Sequence, residues 1–110
     1  MKYLAKNTSN ILLECRTDDN LKFACATDYD ITVYPLSFLV ETKTGVVDLS
    51  SYCIETSGTD FIVDVPSSVI ATLEDALRYK IGVILDENNR DFLFGGRIII
   101  KKGILLWQQV

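Results

Sequence analysis

Apolar and polar residues alternate along most of this chain, and this period of two is the feature that most limits its fold. Near the middle of the C-terminal half, Tyr79, Ile81 and Val83 alternate with Lys80 and Gly82. Successive side chains of a strand point to opposite faces, so the pattern predicts strands with one buried face. With 110 residues, of which 48% are hydrophobic, we expect one core. The predicted fold is mainly β: an antiparallel β-sandwich, Ig-like or jelly-roll-like, with one short helix.

The beginning of the chain predicts a hairpin. Leu13 and Cys15 share one face, and the alternation resumes after the turn-prone residues 17–20. We therefore expect an N-terminal hairpin or arm over about residues 1–30, within a single domain that spans residues 1–110.

The next predicted strand has Phe38 and Val40 on one face, and a proline interrupts it. Pro35 has no backbone N–H to donate to a sheet. We expect this strand to lie at a sheet edge or to carry a bulge at the proline. Gly45 then allows a turn into a further strand.

One segment has helical spacing. Val69, Ile70 and Leu73 follow Pro66, a residue that suits the first turn of a helix. The spacing predicts a short helix from about Pro66 to Asp75, which would serve as a crossover between strands.

The last hairpin turns at the polar residues 87–90 and returns through Phe94. Gly95 and Gly96 interrupt its alternation, which indicates a β-bulge or a close approach between backbones. Because Ile99 is apolar in the opposite phase, we expect both faces of this hairpin to be covered.

The sequence offers no set of catalytic residues. It contains no histidine, which removes the commonest general base and most zinc sites. It contains no glycine-rich phosphate-binding motif. Three acidic pairs fall in predicted turns, where aspartate is favoured for its own backbone hydrogen bonds: Asp28 with Asp30, Asp18 with Asp19, and Asp86 with Glu87. We predict a protein that is not an enzyme and has no cofactor or bound metal.

Cysteines and tyrosines are the other residue types that could form a functional site. Cys15 and Cys25 fall on apolar phases, which favours reduced, packed thiols over activated nucleophiles. Three tyrosines are candidates for a sugar-binding platform, although aromatic residues in strands more often pack in a core: Tyr29, Tyr34 and Tyr52.

Charge and hydropathy restrict the partners. The net charge is −4 and the sequence has no basic stripe, so we expect no nucleic acid partner. No run of residues approaches the length of a membrane span, and the N-terminus lacks the pattern of a signal peptide. We expect neither membrane association nor export by that route.

The C-terminus is unusually apolar. The tail over about residues 103–110 is rich in leucine and contains Trp107, which either folds back over the domain or anchors in another subunit. We predict that the residues that contact a partner are Tyr3, Leu4, Leu105, Leu106 and Trp107.

The succession TDYDITVYPLSFLVETKTGVVDLSSY, followed by GTDFIVDVPSSVIATLEDALRYKIGVILDENNRDFLFGGRIIIKKG, resembles a pattern of small tailed-bacteriophage virion proteins. The baseplate upper-protein N-terminal domains and related Ig-like phage structural modules look like this. The likeness covers about the last three quarters of the chain. It implies a structural role for Asp48, Leu49, Tyr52, Val65, Pro66, Leu77, Arg78, Tyr79, Gly96, Arg97, Ile98 and Gly103.

The resemblance implies a non-enzymatic virion structural protein, made in the bacterial host cytoplasm. Free-standing domains of this size look like capsid decoration or cementing proteins, which bind and stabilise an assembled shell. The expected partner is a virion protein, above all the major capsid protein, with this chain a homo-oligomer or present in many copies on the particle. The alternatives are a tail or baseplate adaptor and a soluble carbohydrate-binding or host-inhibiting β module.

Overall fold

In the part of the chain that the structure describes, ten strands form two stacked sheets. The computed structural model describes the backbone of residues 2–4 and 9–102 and the side chains of residues 10–102. The strands are β1 (Lys2–Leu4), β2 (Ser9–Asn10), β3 (Leu13–Arg16), β4 (Leu21–Ala26), β5 (Leu36–Thr42), β6 (Gly45–Asp48), β7 (Cys53–Ser57), β8 (Asp60–Val65), β9 (Ala76–Ile84) and β10 (Arg90–Lys101). The predicted β-sandwich is confirmed.

The order of the strands identifies the kind of sandwich. One sheet has the order β1-β4-β8-β7, and the other has the order β2-β10-β9-β5-β6, with β3 also pairing with β10. Without the N-terminal strands β1 to β3, the orders β4-β8-β7 and β10-β9-β5-β6 match the B-E-D and G-F-C-C′ orders of variable-type immunoglobulin sandwiches. The strand order therefore favours the Ig-like alternative over the jelly roll.

The N-terminal segment does not form the predicted hairpin. β3 pairs with β10 in the six-stranded sheet, whereas β4 pairs with β8 in the other sheet. Residues 17–20 therefore cross from one layer to the other. Both strands bury alternate residues in the same core, and an alternating pattern on either side of a turn is the same for a hairpin as for such an arch. In addition, β1, β2 and β3 all pair in parallel with their neighbours, unlike the antiparallel remainder.

The predicted edge position of the proline-containing strand is wrong. β5 begins after Pro35 and lies inside its sheet, between β9 and β6. The proline therefore removes no donor from the ladder, and its carbonyl accepts a hydrogen bond from the Ile84 N–H at 2.8 Å. The predicted face is confirmed, because Phe38 and Val40 are fully buried.

The predicted helix is shorter than expected. α1 covers only Ser67–Ile70, directly after Pro66. Turns follow it that are closed by hydrogen bonds between residues three apart, such as the bond from the Leu73 N–H to the Ile70 carbonyl. β-Branched residues weaken a helix here. The segment nevertheless makes the expected crossover, from β8 in one sheet to β9 in the other, and buries Ile70 and Leu73. Among the described residues, no helix is long and apolar enough to cross a membrane.

The last hairpin combines a bulge with a close approach. The register of β9 and β10 shifts between Phe92 and Phe94, so the bulge lies before the glycine pair. A Cβ on Gly95 would lie 2.5 Å from the Tyr79 carbonyl oxygen, and a Cβ on Gly96 would lie 2.9 Å from that of Ile11. The glycines therefore allow backbones to approach, which was one of the two expected roles.

Four aromatic rings join the layers at the centre of the core. Phe23 of the four-stranded sheet meets Phe94 edge-to-face, with ring centroids 6.4 Å apart. Tyr79 then meets Phe94 at 6.0 Å and Phe38 at 6.1 Å in the same geometry, an arrangement that adds to the stabilisation from burial. The Tyr79 hydroxyl donates to the Ile11 carbonyl at 2.6 Å, which ties the N-terminal segment to the core.

Two parts of the predicted domain organisation remain predictions. The apolar tail, about residues 103–110, lies outside the described residues. The first segment contributes strands to both sheets, and whether it also reaches a neighbour as an arm is untested.

Candidate interaction surface

The acidic pairs singled out in the sequence close turns. Asp86 accepts hydrogen bonds from the Asn88 N–H at 2.9 Å and the Asn89 side-chain amide at 2.8 Å. These bonds, above all the one from Asn89, lower the pKa of Asp86. Asp30 likewise accepts from the Thr32 N–H at 3.0 Å. Within residues 10–102, no three acidic or cysteine side chains come together as metal ligands would.

The cysteines are poor nucleophiles. Burial raises the pKa of Cys25 to about 12, with a smaller contribution from Cys53. Burial likewise raises the pKa of Cys53 to about 12, followed by the charge of Asp48. Cys15 is buried, and its pKa is also raised, first by desolvation. Since the thiolate is the reactive form, these environments disfavour nucleophilic chemistry.

The tyrosines do not form a flat platform. The rings of Tyr29 and Tyr34 are nearly perpendicular, at 86°, with centroids 6.0 Å apart. Both are partly buried against the core, and the Tyr29 hydroxyl donates to the Asp91 carboxylate. This bond is the main cause of the raised pKa of Tyr29. Tyr52 lies elsewhere, on a single 3₁₀ turn. A sugar ring stacks on an exposed aromatic face, and this pair offers edges and a bonded hydroxyl.

A broad depression opens where the chain crosses between layers. It has a volume of about 620 Å³ and lies between β3 and β4. Its floor is apolar, and its rim is charged, with a Lys101–Glu14 ion pair at 3.5 Å. Among the described residues that line it, the one thiol is that of Cys15, whose sulfur donates to the carbonyl of Arg16 at 3.5 Å.

The structure describes only part of the predicted contact set. The backbone of Tyr3 and Leu4 lies in β1 and pairs with Cys25 and Ala26 of β4. Their side chains lie outside the described residues, as do Leu105, Leu106 and Trp107 in the tail. Their role as partner contacts remains a prediction.

Exposed apolar side chains lie on two open strands, one at the margin of each sheet: Val46 is on the outer face of the six-stranded sheet, opposite Glu41, and Ile54 is on the outer face of the four-stranded sheet, opposite Ile62. β6 pairs only with β5, and β7 only with β8, in the part of the chain that the structure describes. We call these two strands, Gly45–Asp48 and Cys53–Ser57, the open margin. Val46 on β6 is 65% exposed and Ile54 on β7 is 53% exposed. Unpaired N–H and C=O groups beside apolar side chains are a template for another strand.

A network of hydrogen bonds holds the open margin in place. The Ser50 hydroxyl accepts from the Phe38 N–H at 2.9 Å and donates to the Asp48 carboxylate at 2.5 Å. The bonds from Ser50 lower the pKa of Asp48. Leu49, which lies between Asp48 and Ser50 in the chain, is buried in the core. These bonds therefore fix the end of β6 against β5, and β7 is held by its pairing with β8.

Sequence reasoning missed the open margin. Alternation along the sequence predicts strands, but it does not show which strand lies last in a sheet. The short length of both strands was the only signal, because short strands are common at sheet edges.

Comparison with known proteins adds no relative. No protein-family model matches the chain, and no curated protein matches it in sequence.

Proposed function

We propose that this protein is a non-enzymatic structural protein of a bacteriophage virion, which binds the assembled capsid shell as a decoration protein. The observation that supports a binding role is the open margin, where two unpaired strands carry Val46 and Ile54 into solvent. The phage context comes from the sequence resemblance alone.

The proposed mechanism requires no chemical step. A protein that binds only the assembled shell stabilises that state by mass action. Contacts to several shell subunits at once multiply the effect, since the second contact forms at a high effective concentration. The open margin would supply backbone hydrogen bonds to a shell strand, and the apolar side chains would set its register.

Association with purified particles tests the proposal. We expect the wild-type chain to sediment with capsids in hundreds of copies, on the order of the number of shell subunits. Val46→Lys and Ile54→Lys should each weaken binding about tenfold or more, because each buries a charge at the contact. Leu12→Lys is the matched control. Leu12 is 50% exposed and lies between β2 and β3, at the edge of the six-stranded sheet opposite to β6. A chain that never associates with particles or with any virion component would contradict the proposal.

A tail or baseplate adaptor is the second candidate, because open strands also suit pairing between copies in a ring. Copy number separates the two. About six or twelve copies per particle would indicate the tail, since rings there follow low rotational symmetry.

A further inference from the structure

The solvent face of the six-stranded sheet is basic, although the chain as a whole has a net charge of −4. Residues opposite each other on neighbouring strands share a face, and the register sets Arg97, Arg78 and Glu41 in one row and Lys80, Leu39 and Asp48 in the next. Arg90 adds a further cation, held by a 3.2 Å bond to the Ser37 hydroxyl. We call this surface the basic face.

The centre of the basic face is apolar. A shallow depression of about 300 Å³ is lined by Leu39 and Phe92, with Lys80, Arg90 and Asp91 beside them. The Asp91 carboxylate already accepts the hydrogen bond from the Tyr29 hydroxyl. The absence of a side chain at Gly95 lets the Phe92 ring lie close to the sheet, since a Cβ there would be 2.8 Å from the ring. The surface thus surrounds apolar side chains with charged ones, among which the cations outnumber the carboxylates.

One end of the sandwich has the opposite charge. Three connections meet there: residues 27–35, 58–59 and 85–89. Hydrogen bonds of 2.9 Å join the first two, from the Ile31 N–H to the Gly58 carbonyl and from the Thr27 N–H to the Thr59 carbonyl.

The third connection adjoins the first, since the Ile84 N–H donates to the Pro35 carbonyl at 2.8 Å. This end, which we call the acidic end, exposes the carboxylates of Asp28, Asp30, Asp86 and Glu87.

The acidic end also exposes apolar side chains. Val33 is 63% exposed and Leu85 is 38% exposed. The two surfaces therefore match each other in both respects: cations around Leu39 and Phe92 on one, and carboxylates around Val33 and Leu85 on the other.

We propose that two copies of this chain bind head to tail, with the acidic end of one copy on the basic face of the next. The two surfaces differ, so the contact is heterologous, and its repetition closes a ring or extends a filament. Complementary charge would orient the copies during encounter, and burial of the apolar side chains would hold them. A nucleic acid fits the basic face less well, because Glu41 and Asp48 interrupt its cations and an apolar depression occupies its centre.

The test is a charge-exchange experiment read by sedimentation velocity at increasing protein concentration. A face variant carries Arg78→Glu and Lys80→Glu, and an end variant carries Asp28→Lys and Glu87→Lys. The affinity between copies of either variant alone should be lower than that of the wild type by a factor of about ten or more, since like charges then meet across the contact. Mixed in equal amounts, the two variants should associate again, because reversed faces meet reversed ends.

A matched control separates this contact from general charge effects. Lys22→Glu with Lys43→Glu changes the net charge as the face variant does, but Lys22 projects from the other sheet and Lys43 lies in the β5–β6 turn. The control should associate like the wild type. Recovery in the mixture also shows that both variants are folded.

Three results would overturn the proposal. The first is a wild-type chain that stays monomeric up to about 1 mM, a concentration at which even weak contacts appear. The other two are a face or end variant that associates as strongly as the wild type, and an equal mixture of the two variants that does not regain association. Val46 pairs with Glu41 and so borders the basic face, whereas Ile54 lies in the other sheet. The Ile54→Lys arm of the particle-binding experiment is therefore independent of this contact, and either proposal can fail while the other stands.

Discussion

The β9–β10 hairpin and the open margin are built from similar residues but differ in how they are surrounded. β9 and β10 each have neighbours on both sides, and Tyr79, Ile81 and Phe94 are fully buried or nearly so. Among the strands that the structure describes, β6 and β7 each have one neighbour, and the large apolar side chains Val46 and Ile54 lie in solvent. An apolar side chain stabilises the fold only where the fold covers it. The hairpin therefore carries stability, and the open margin leaves its apolar side chains in solvent.

The largest expected difference between the two regions comes from truncating one side chain in each. Phe94→Ala should lower the free energy of unfolding by about 3–5 kcal/mol, because it deletes a fully buried ring that meets two others. Val46→Ala should change it by less than about 0.5 kcal/mol. Urea denaturation measures both. Equal losses would erase the difference between the regions.

Two glycines sharpen the comparison. Gly96 in the hairpin and Gly45 at the open margin have nearly the same φ, +148° and +150°. Alanine at either position incurs the same backbone strain, of about 1 kcal/mol. Only at Gly96 would the new Cβ also meet backbone, 2.9 Å from the Ile11 oxygen, since nothing lies within 4 Å at Gly45.

Gly96→Ala should therefore be the more destabilising by a further 1–2 kcal/mol or so. Thermal unfolding of both variants measures the difference. If Gly45→Ala were as harmful as Gly96→Ala, the approach of the N-terminal segment would not explain the second glycine.

A smaller effect is expected where the open margin is attached. Ser50→Ala leaves the Phe38 N–H without its side-chain acceptor, which should cost about 1–2 kcal/mol. Ser51→Ala, a change of the same kind at the exposed neighbouring residue, should be close to neutral. Chemical denaturation of the pair measures this, and identical stabilities would show that the bond to Phe38 contributes nothing.

The smallest predicted effect depends on pH. Because the bonds from Ser50 lower the pKa of Asp48 in the folded state, its carboxylate stabilises the fold above the unfolded pKa of about 3.9. That contribution is lost as the pH falls through the lower, folded pKa. The stability gap between wild type and Asp48→Asn should therefore be present at neutral pH and shrink on acidification. A gap that stayed constant or grew in acid would contradict the prediction.

The parts of the fold that sequence could predict depend on local pattern. Alternation at Phe38, Val40 and Tyr79 predicted which side chains face the core, and the glycine pair was expected to mark either a β-bulge or a close approach, of which the structure shows the close approach. Turn residues such as Asp86 were correctly assigned to turns, because their hydrogen bonds are made within a few residues.

The parts that sequence could not predict depend on partners distant in the chain. Residues 17–20 connect two layers, and no local signal separates that crossing from a hairpin. Pro35 was expected to mark an edge, but β5 begins one residue later and lies inside the sheet. The exposure of Val46 and Ile54 follows from strand order, which is a property of the whole fold.

Hydrogen exchange of backbone amides, in the free and the particle-bound protein, tests the central contrast most directly. Amides of Tyr79 to Val83 should exchange slowly in both states, because both neighbouring strands cover β9. Amides of Gly45–Asp48 and Cys53–Ser57 should exchange faster in the free protein and become protected on binding. Bound protein in which the open margin still exchanges freely, while another surface becomes protected, would contradict the assignment of the binding surface.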